Sequence, residues 1–311
     1  MWNKIQYALI YSWVKVHALL PMWALYILSD ILYVLIYKVV RYRVKVVRQN
    51  MKASFPDKSD TELRRLEREF YHHFADYVVE TIKLAHISLE ELQRRAFLKN
   101  PELVDTLMEK GHTCFILLMG HYGNWEWVSS MPLHLWRGAH PCQIYHHLHN
   151  RTAAYIFEKL RTRFGATNIP MEDTLTVIGH DWRDGVPNIC GYIADQSPKY
   201  ASLHHFVQFF GRETAVLTGT ERISRLVHAP VYYCEMTRPR RGRYVCRFIK
   251  MTDDASALPK FALTDDYWRR LEAQIRREPH LWLWSHRRWK HTAVRFRELY
   301  PDDWPRRLSR L

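Results

Sequence analysis

Apolar runs without alternating polarity mark the strands that this sequence predicts. Residues Cys114–Met119 are all apolar, and the segment 188–197 contains a similar run before its polar end. Such runs are typical of strands buried on both faces. Two further segments, 230–236 and 244–249, flank an arginine-rich turn and predict a pair of adjacent strands. Because helical segments alternate with the strands, the sequence predicts an α/β fold with a mostly parallel or mixed sheet flanked by helices.

Apolar residues at helical spacing predict the main helices. Ser59 or Asp60 can cap a helix that runs to about Lys83. Its core-facing stripe is Leu63, Leu66, Phe70, Phe74, Val78 and Ile82. A second amphipathic helix is predicted over residues 151–164, and Gly165 can end it as a C-cap.

The N-terminal segment is strongly apolar, and residues 19–37 are long enough to cross a bilayer. Asp30 interrupts this stretch at a depth where a charge is costly. Five cations follow without an intervening acid: Lys38, Arg41, Arg43, Lys45 and Arg48. Such a cluster binds anionic head groups and favours the cytoplasmic side. We expect residues 1–42 to be membrane-associated and residues 43–311 to form a cytoplasmic domain; a buried helix of a soluble domain with a solvated basic face is the alternative.

The charge of the chain indicates an anionic partner. Its formal net charge is +14 and its pI is about 9.6, which fits a membrane surface, nucleic acid or an acidic carrier protein. The C-terminal segment 279–290 interleaves aromatic with basic residues, including Arg287 and Arg288, and this combination can bind phosphates. No helix-turn-helix, RNP-like or zinc-finger pattern accompanies it, so nucleic acid is not the expected partner.

The cysteines and histidines do not indicate a metal site. The five cysteines are widely spaced without a Cys-x-x-Cys motif, and we expect them to be reduced and mostly buried. Three clustered histidines, His146, His147 and His149, lack a cysteine or carboxylate at ligand spacing. We therefore expect neither a metal ion nor another cofactor.

Candidate chemistry follows the first apolar strand. Gly120 and Gly123 bracket His121, and Asn124 can cap a helix that places Glu126 in its first turn. A carboxylate there can reach Nδ1 of His121 and leave Nε2 as a base. No Ser or Cys forms a nucleophile elbow beside this pair, so it is expected to activate a substrate hydroxyl. A capping glutamate and a packing histidine are the alternative.

Three further residues are candidates for the same site. Asp195 stands at the end of the apolar strand predicted within residues 188–197, at the sheet edge where α/β folds bind ligands; a turn-forming aspartate is the alternative. Arg161 and Arg163 lie in the last turn of the helix over 151–164. There they can interact favourably with the negative end of the helix dipole or bind an anion at the site.

With these stretches assembled, the chain resembles the late acyltransferases of lipid A biosynthesis, the lauroyl/myristoyl transferase family of Gram-negative bacteria. The resemblance covers nearly the full length. Its motifs are the N-terminal apolar helix, Arg-x4-Arg-x-Asn-x4-Phe-Pro over residues 43–56, Gly120-His121-Tyr122-Gly123-Asn124-Trp125-Glu126, Ala194-Asp195-Gln196, Phe209-Phe210-Gly211, Ala229-Pro230-Val231 and Trp284-x-His286-Arg287-Arg288-Trp289-Lys290. The His-x4-Asp/Glu pair is shared with the wider glycerolipid acyltransferase superfamily, whereas the C-terminal signature belongs to this branch.

The resemblance implies an inner-membrane enzyme whose catalytic domain faces the cytoplasm. It would transfer a fatty acyl chain from an acyl-carrier-protein thioester, or from acyl-CoA, to a hydroxyl of an anionic lipid A precursor. His121 would be the general base and Glu126 its orienting partner. The expected substrate-binding residues are Asn124, Arg161, Arg163, Asp195, Arg287 and Arg288.

Other interpretations stay open at this point. This chain has Tyr145-His146-His147 where the family often has Tyr-Arg-Pro, so one expected phosphate or donor contact is missing. The acceptor could be a lysophospholipid or an aminoacyl lipid, because the shared motif does not specify it. A non-catalytic basic protein that binds membranes or nucleic acid is the rival from another class.

Overall fold

A computed structural model describes residues 2–134, 140–146, 148 and 150–311. Its described part contains nine strands: β1 Ala96–Leu98, β2 Cys114–Met119, β3 His140–Tyr145, β4 Thr167–Pro170, β5 Asn188–Ile193, β6 His205–Phe209, β7 Arg212–Val216, β8 Val231–Arg240 and β9 Arg243–Thr252. Seven of them form one sheet in the order β1-β9-β8-β2-β5-β3-β4, and β6 and β7 form a separate antiparallel hairpin. Within the seven-stranded sheet, the pairs are parallel except β8 with β9. This arrangement confirms the predicted α/β fold and the predicted pairing of these two strands.

Helices cover the sheet and form the N-terminal region. The α-helices of the described residues are α1 Trp2–Ala18, α2 Met22–Tyr33, α3 Val44–Ser54, α4 Asp60–Lys83, α5 Leu89–Arg95, α6 Glu102–Glu109, α7 Arg151–Thr162, α8 Thr174–Arg183, α9 Gly219–Leu226, α10 Ala262–Arg277, α11 Ala293–Leu299 and α12 Trp304–Leu308. A π-helical segment, Val34–Val39, continues α2. Short 3₁₀ segments are Trp125–His134, Tyr200–Ser202, Ala255–Ala257, Pro279–Leu281 and Arg288–Lys290.

The predicted helices α4 and α7 are present, whereas the helix after Asn124 differs from the prediction. Ser59 caps α4 through a reciprocal capping box with Glu62. The segment that begins at Trp125 is a 3₁₀ helix instead of the expected α-helix. Asn124 still caps it, since its side-chain oxygen accepts a hydrogen bond from the Trp127 amide at 3.3 Å.

Strand β2 lies at the centre of the sheet, and all six of its residues are buried. It pairs in parallel with β8 on one side and with β5 on the other. The register places Met119, the last residue of β2, opposite Ile193, the last residue of β5. The segments that follow β2 and β5 therefore lie next to each other at the same edge of the sheet.

Helix α4 buries polar residues as well as its predicted apolar stripe, because it joins the N-terminal helices to the sheet. Asp76 accepts a hydrogen bond from Ser29 of α2 at 2.7 Å. Lys83 donates to the backbone oxygens of Ala18 and Leu20 at 3.0 and 2.8 Å, which satisfies carbonyls where α1 ends. These contacts fix one face of the N-terminal helices against the domain.

The apolar N-terminal stretch is divided at Pro21, which precedes the first residue of α2. Among the described residues, one helical stretch, Met22–Val39, is long and apolar enough to cross a membrane. Its core-facing residue Leu25 belongs to the same apolar core as Phe115 of β2. The predicted boundary between residues 1–42 and 43–311 stays a prediction.

One expectation about the cysteines is wrong. Cys142 and Cys190 form a disulfide, because the pairing of β3 with β5 places them directly opposite each other. Sequence spacing could not reveal this pair, since 48 residues separate the two positions. The other three cysteines, Cys114, Cys234 and Cys246, are free and buried as expected.

Candidate functional site

A histidine and an aspartate meet at the edge of the sheet where β2 and β5 end. His121 lies two residues beyond β2, and Asp195 lies two residues beyond β5. Nδ1 of His121 donates a hydrogen bond to Oδ1 of Asp195 at 2.5 Å. The His121 side chain is 14% exposed and that of Asp195 is fully buried. The buried carboxylate therefore fixes the ring orientation and holds the proton on Nδ1, which leaves Nε2 as the basic nitrogen.

The surroundings of Asp195 keep this carboxylate charged. Its Oδ2 accepts hydrogen bonds from the Trp282 indole at 2.8 Å and the His121 amide at 3.1 Å, and Nη2 of Arg288 lies at 3.4 Å. Although burial raises the pKa of the Asp195 carboxyl, the charges on His121 and Arg288 and the hydrogen bonds from His121 and Trp282 outweigh it. They hold that pKa well below its usual range. Asp195 can thus stabilise a positive imidazolium.

The other ring nitrogen of His121, Nε2, contacts a side chain at the protein surface. The side-chain nitrogen of Gln196, an exposed residue, lies 3.3 Å from this atom. With the proton on Nδ1, Nε2 accepts this hydrogen bond through the lone pair that would accept a substrate proton. A hydroxyl group that bound to Nε2 would therefore displace the exposed Gln196 amide.

Glu126 does not contact His121, so the predicted contact between them is wrong. Two hydrogen bonds of 2.6 and 2.7 Å join the Glu126 carboxylate to the guanidinium of Arg161 on α7. The Trp125 indole donates to the same carboxylate at 3.1 Å, while its ring meets the His121 ring edge-on with centroids 5.1 Å apart. Glu126 and Arg161 thus form a buried ion pair that also binds the Trp125 indole. The ring of Trp125 in turn packs against the ring of His121.

Two glycines allow the turn that carries His121. A Cβ on Gly120 would lie 2.6 Å from a methyl of Leu271, and a Cβ on Gly123 would lie 2.4 Å from the sulfur of Met236. Gly123 also has a φ of +61°, which disfavours other residues. Its amide donates to the Leu281 carbonyl at 2.9 Å. This turn therefore packs closely against α10 and β8 and is hydrogen-bonded to the Pro279–Leu281 segment.

Comparison with known proteins connects this site to a family. The sequence model described as "Bacterial lipid A biosynthesis acyltransferase" matches residues 3–291. The chain belongs to this family. A curated relative from Shigella flexneri, "Lipid A biosynthesis acyltransferase 2", is 25% identical over 186 residues, which are 58% of this chain and 56% of the relative. The match thus spans little more than half the length of that relative. The family resemblance predicted from the sequence is confirmed.

Two expected substrate-binding residues of this lipid A acyltransferase family member have structural contacts instead. Asn124 is fully buried, and its amide donates to the buried Glu80 carboxylate at 2.9 Å. Arg163 donates to the backbone oxygens of Leu84 and Ile87 and so anchors the chain after α4. The substrate roles of Asn124 and Arg163 stay predictions.

The C-terminal signature of the family reaches the site through one of its two arginines. Arg288 is 1% exposed, approaches Asp195, and stacks over the Trp282 ring with 4.6 Å between its guanidinium carbon and the ring centroid. Arg287 is exposed and forms no ion pair with a described residue. Burial and the Arg288 charge lower the pKa of His286 to about 3, so this imidazole is neutral. The substrate roles of Arg287 and Arg288 stay predictions.

Sequence reasoning did not single out Gln196 or Trp282. Gln196 was visible as the residue after Asp195, and Trp282 stands in the aromatic C-terminal segment. Tyr122 and Trp282 form an isolated antiparallel bridge, which brings the indole to Asp195. Two of the three clustered histidines, His147 and His149, lie outside the described residues. The expectation that this cluster binds no metal therefore stays a prediction.

Proposed function

We propose that this protein transfers a fatty acyl chain from an acyl-carrier-protein thioester to a hydroxyl of a lipid A precursor. The observation that carries the proposal is the pairing of His121 with Asp195 at 2.5 Å, with Nε2 beside the exposed Gln196, in a chain of this family. A neutral imidazole with an oriented Nδ1 proton is a suitable base for a hydroxyl group.

The reaction follows from these contacts. Nε2 of His121 removes the proton of the acceptor hydroxyl while its oxygen attacks the thioester carbonyl. The tetrahedral intermediate then breaks the C–S bond, and the imidazolium returns its proton to the leaving thiolate. Asp195 stabilises the imidazolium in both steps because its carboxylate is buried and charged. General-base assistance of this kind contributes roughly 10²- to 10⁴-fold in rate.

Direct transfer fits the surroundings of the histidine better than an acyl-enzyme. In the described part of the chain, no serine hydroxyl or cysteine thiol is hydrogen-bonded to His121. Ser197, two residues beyond Asp195, donates to the Arg288 carbonyl at 2.5 Å. The amides of the turn are also occupied, since those of His121, Tyr122 and Gly123 donate within the protein. They do not serve as oxyanion donors in this conformation.

We further propose that α1 and α2 dock the protein on the cytoplasmic face of the inner membrane. Large apolar side chains are exposed on one face of α2 and at the start of the π-helical segment that continues it: Trp23, Ile27, Ile31 and Val34. The opposite face of α2 is fixed to the domain, as Ser29 and Tyr26 bind Asp76 and Glu80 of α4. A helix with one polar-anchored and one exposed apolar face suits the interfacial plane better than a free span. The exposed Lys38, Arg41 and Lys45 would meet anionic head groups.

Acyl transfer by purified full-length protein tests the proposed reaction. The assay supplies an acyl-carrier-protein thioester or acyl-CoA, and either a lipid A precursor, a lysophospholipid or an aminoacyl lipid. We expect transfer to the lipid A precursor, and His121→Ala should abolish it while vesicle binding remains. His180→Ala, at an exposed histidine on α8, is the matched control and should retain activity. Full activity of His121→Ala, or transfer only to another acceptor, would contradict the proposal.

A further inference from the structure

A large cavity lies on one side of the hairpin formed by β8 and β9, outside the catalytic site. Its volume is about 930 Å³, within the range of cavities that hold small ligands. Helix α5, strand β1 and the hairpin form its walls. Three arginines, Arg94, Arg240 and Arg243, line it together with the single acid Glu90 and an apolar surface that includes Phe97 and Val245. The cavity thus combines cationic and apolar walls.

The side chains of the three arginines form no hydrogen bond or ion pair with a described residue. By contrast, the side chains of Arg238 and Arg241, on the same hairpin, are paired with Asp76 and Asp30 at 2.5 and 2.7 Å. The other acid of this region, Glu91, is paired with Arg95. The lining of the cavity therefore carries more positive than negative charge.

The hairpin places two of these cations directly opposite each other. Arg240 and Arg243 are cross-strand partners that flank the turn at Arg241 and Gly242. Like charges at opposing positions destabilise a strand pair. An anion bound between the two guanidinium groups would remove this repulsion, and the planar fork of arginine suits phosphate oxygens.

The position of the cavity favours a lipid as the source of that anion. Arg241 at the hairpin tip binds Asp30 of α2 and lies over the Tyr26 ring at 4.4 Å. The hairpin therefore adjoins α2 beside its exposed apolar face. On its inner side, the cavity wall includes Tyr244, whose ring would lie 3.3 Å from a Cβ on Gly123 of the catalytic turn. One residue thus borders both the cavity and the turn that carries His121.

We propose that this cavity binds the phosphate-bearing head group of a lipid through Arg94, Arg240 and Arg243. That this lipid is the acyl acceptor rests on the proposed function; a phosphate on a neighbouring membrane lipid is chemically equivalent. The apolar wall would contact the lipid beyond its phosphate. The head group would then be held next to the turn that presents the base.

A binding measurement tests the cavity without requiring catalysis. Full-length protein in nonionic detergent is titrated with phosphatidic acid and, as the uncharged counterpart, with diacylglycerol. We expect preferential binding of phosphatidic acid, and Arg240→Ala with Arg243→Ala should weaken it at least about tenfold, the effect of losing a charge-assisted hydrogen bond. Arg183→Ala removes an exposed arginine from the end of α8, outside the cavity, and should bind as the wild type does. Equal binding by the double variant and the wild type would overturn the proposal.

A kinetic measurement then identifies the source of the phosphate. The acceptor is offered with its phosphates and after their removal. If the acceptor phosphate occupies the cavity, the double variant should lower kcat/KM at least about tenfold for the phosphorylated acceptor, mainly through KM, and much less for the dephosphorylated one. Weaker phosphatidic acid binding with unchanged acceptor kinetics would assign the site to a membrane phospholipid. An effect confined to the KM of the carrier-protein thioester would overturn the proposal in favour of an acidic protein partner.

Further measurements distinguish a failure of the cavity proposal from misfolding of the variant and from a failure of the proposed function. Removal of two opposed like charges should leave the thermal unfolding midpoint of the double variant equal to or above that of the wild type. Arg240→Lys with Arg243→Lys keeps the charge and removes the guanidinium fork, so it should recover only part of the binding. If the wild type transfers no acyl chain but binds phosphatidic acid in this way, the proposed function fails and the lipid site stands.

Discussion

Nδ1 of His121 lies 2.5 Å from Oδ1 of Asp195, although 74 positions separate the two residues in the chain. The contact exists because each residue stands two positions beyond one of two adjacent parallel strands that end in register. It makes Asp195 the residue that positions the proposed base. Glu126, the acid nearer in sequence, instead neutralises Arg161.

The first prediction concerns catalysis. Asp195→Asn should lower kcat by roughly 10³- to 10⁴-fold, because an amide neither stabilises the imidazolium nor enforces the Nδ1 proton. The KM for the acceptor should change little by comparison. Steady-state kinetics with the acyl-carrier-protein thioester measures both values. A loss below tenfold would show that another group orients His121.

The second prediction concerns acid stability. The pKa of Asp195 is lower in the folded protein than its ordinary value of about 3.9. The charged carboxylate therefore stabilises the fold above that value, and this contribution is lost as the pH falls below it. The difference in unfolding free energy between wild type and Asp195→Asn should be constant from about pH 5 to 7 and shrink below about pH 4. Urea unfolding across this range measures it; a difference that grows towards acid would contradict the assignment.

The third prediction concerns the buried pair of Glu126 and Arg161. Their side chains are 2% and 20% exposed. Either Glu126→Gln or Arg161→Gln should cost about 3 to 5 kcal/mol of stability, because each leaves a buried charge without its partner. The double variant should lose less than the sum of the two. Denaturant unfolding of all four proteins measures this coupling, and strict additivity would argue against a direct ion pair.

The fourth prediction concerns membrane docking. Ile27→Glu with Ile31→Glu places two charges on the exposed face of α2 and should weaken vesicle binding by tenfold or more, since apolar burial is replaced by charge burial. Val294→Glu changes a side chain that is equally apolar and 65% exposed on α11, and it should bind vesicles normally. Cosedimentation with anionic vesicles makes the comparison. If the α2 variant still binds fully, another surface docks the protein.

Local patterns determined much of this protein. The apolar runs gave β2 and β5 and placed His121 and Asp195 at strand ends, and the Ser59 capping box gave the start of α4. These features are encoded within a few residues, because burial on both faces and helix capping depend on near neighbours. The family signatures are likewise contiguous, so family membership could be predicted from the sequence.

Tertiary structure alone decided which of these residues meet. Sheet order made β2 and β5 neighbours and so gave His121 its aspartate, while the packing of α7 gave Glu126 its arginine. The same long-range packing pairs Asp30 with Arg241 of the hairpin, although the sequence predicted that a charge at Asp30 would be costly within an apolar helix. A one-dimensional pattern reports which face of an element is buried, but the partner on that face is set by the order and register of strands far apart in the chain.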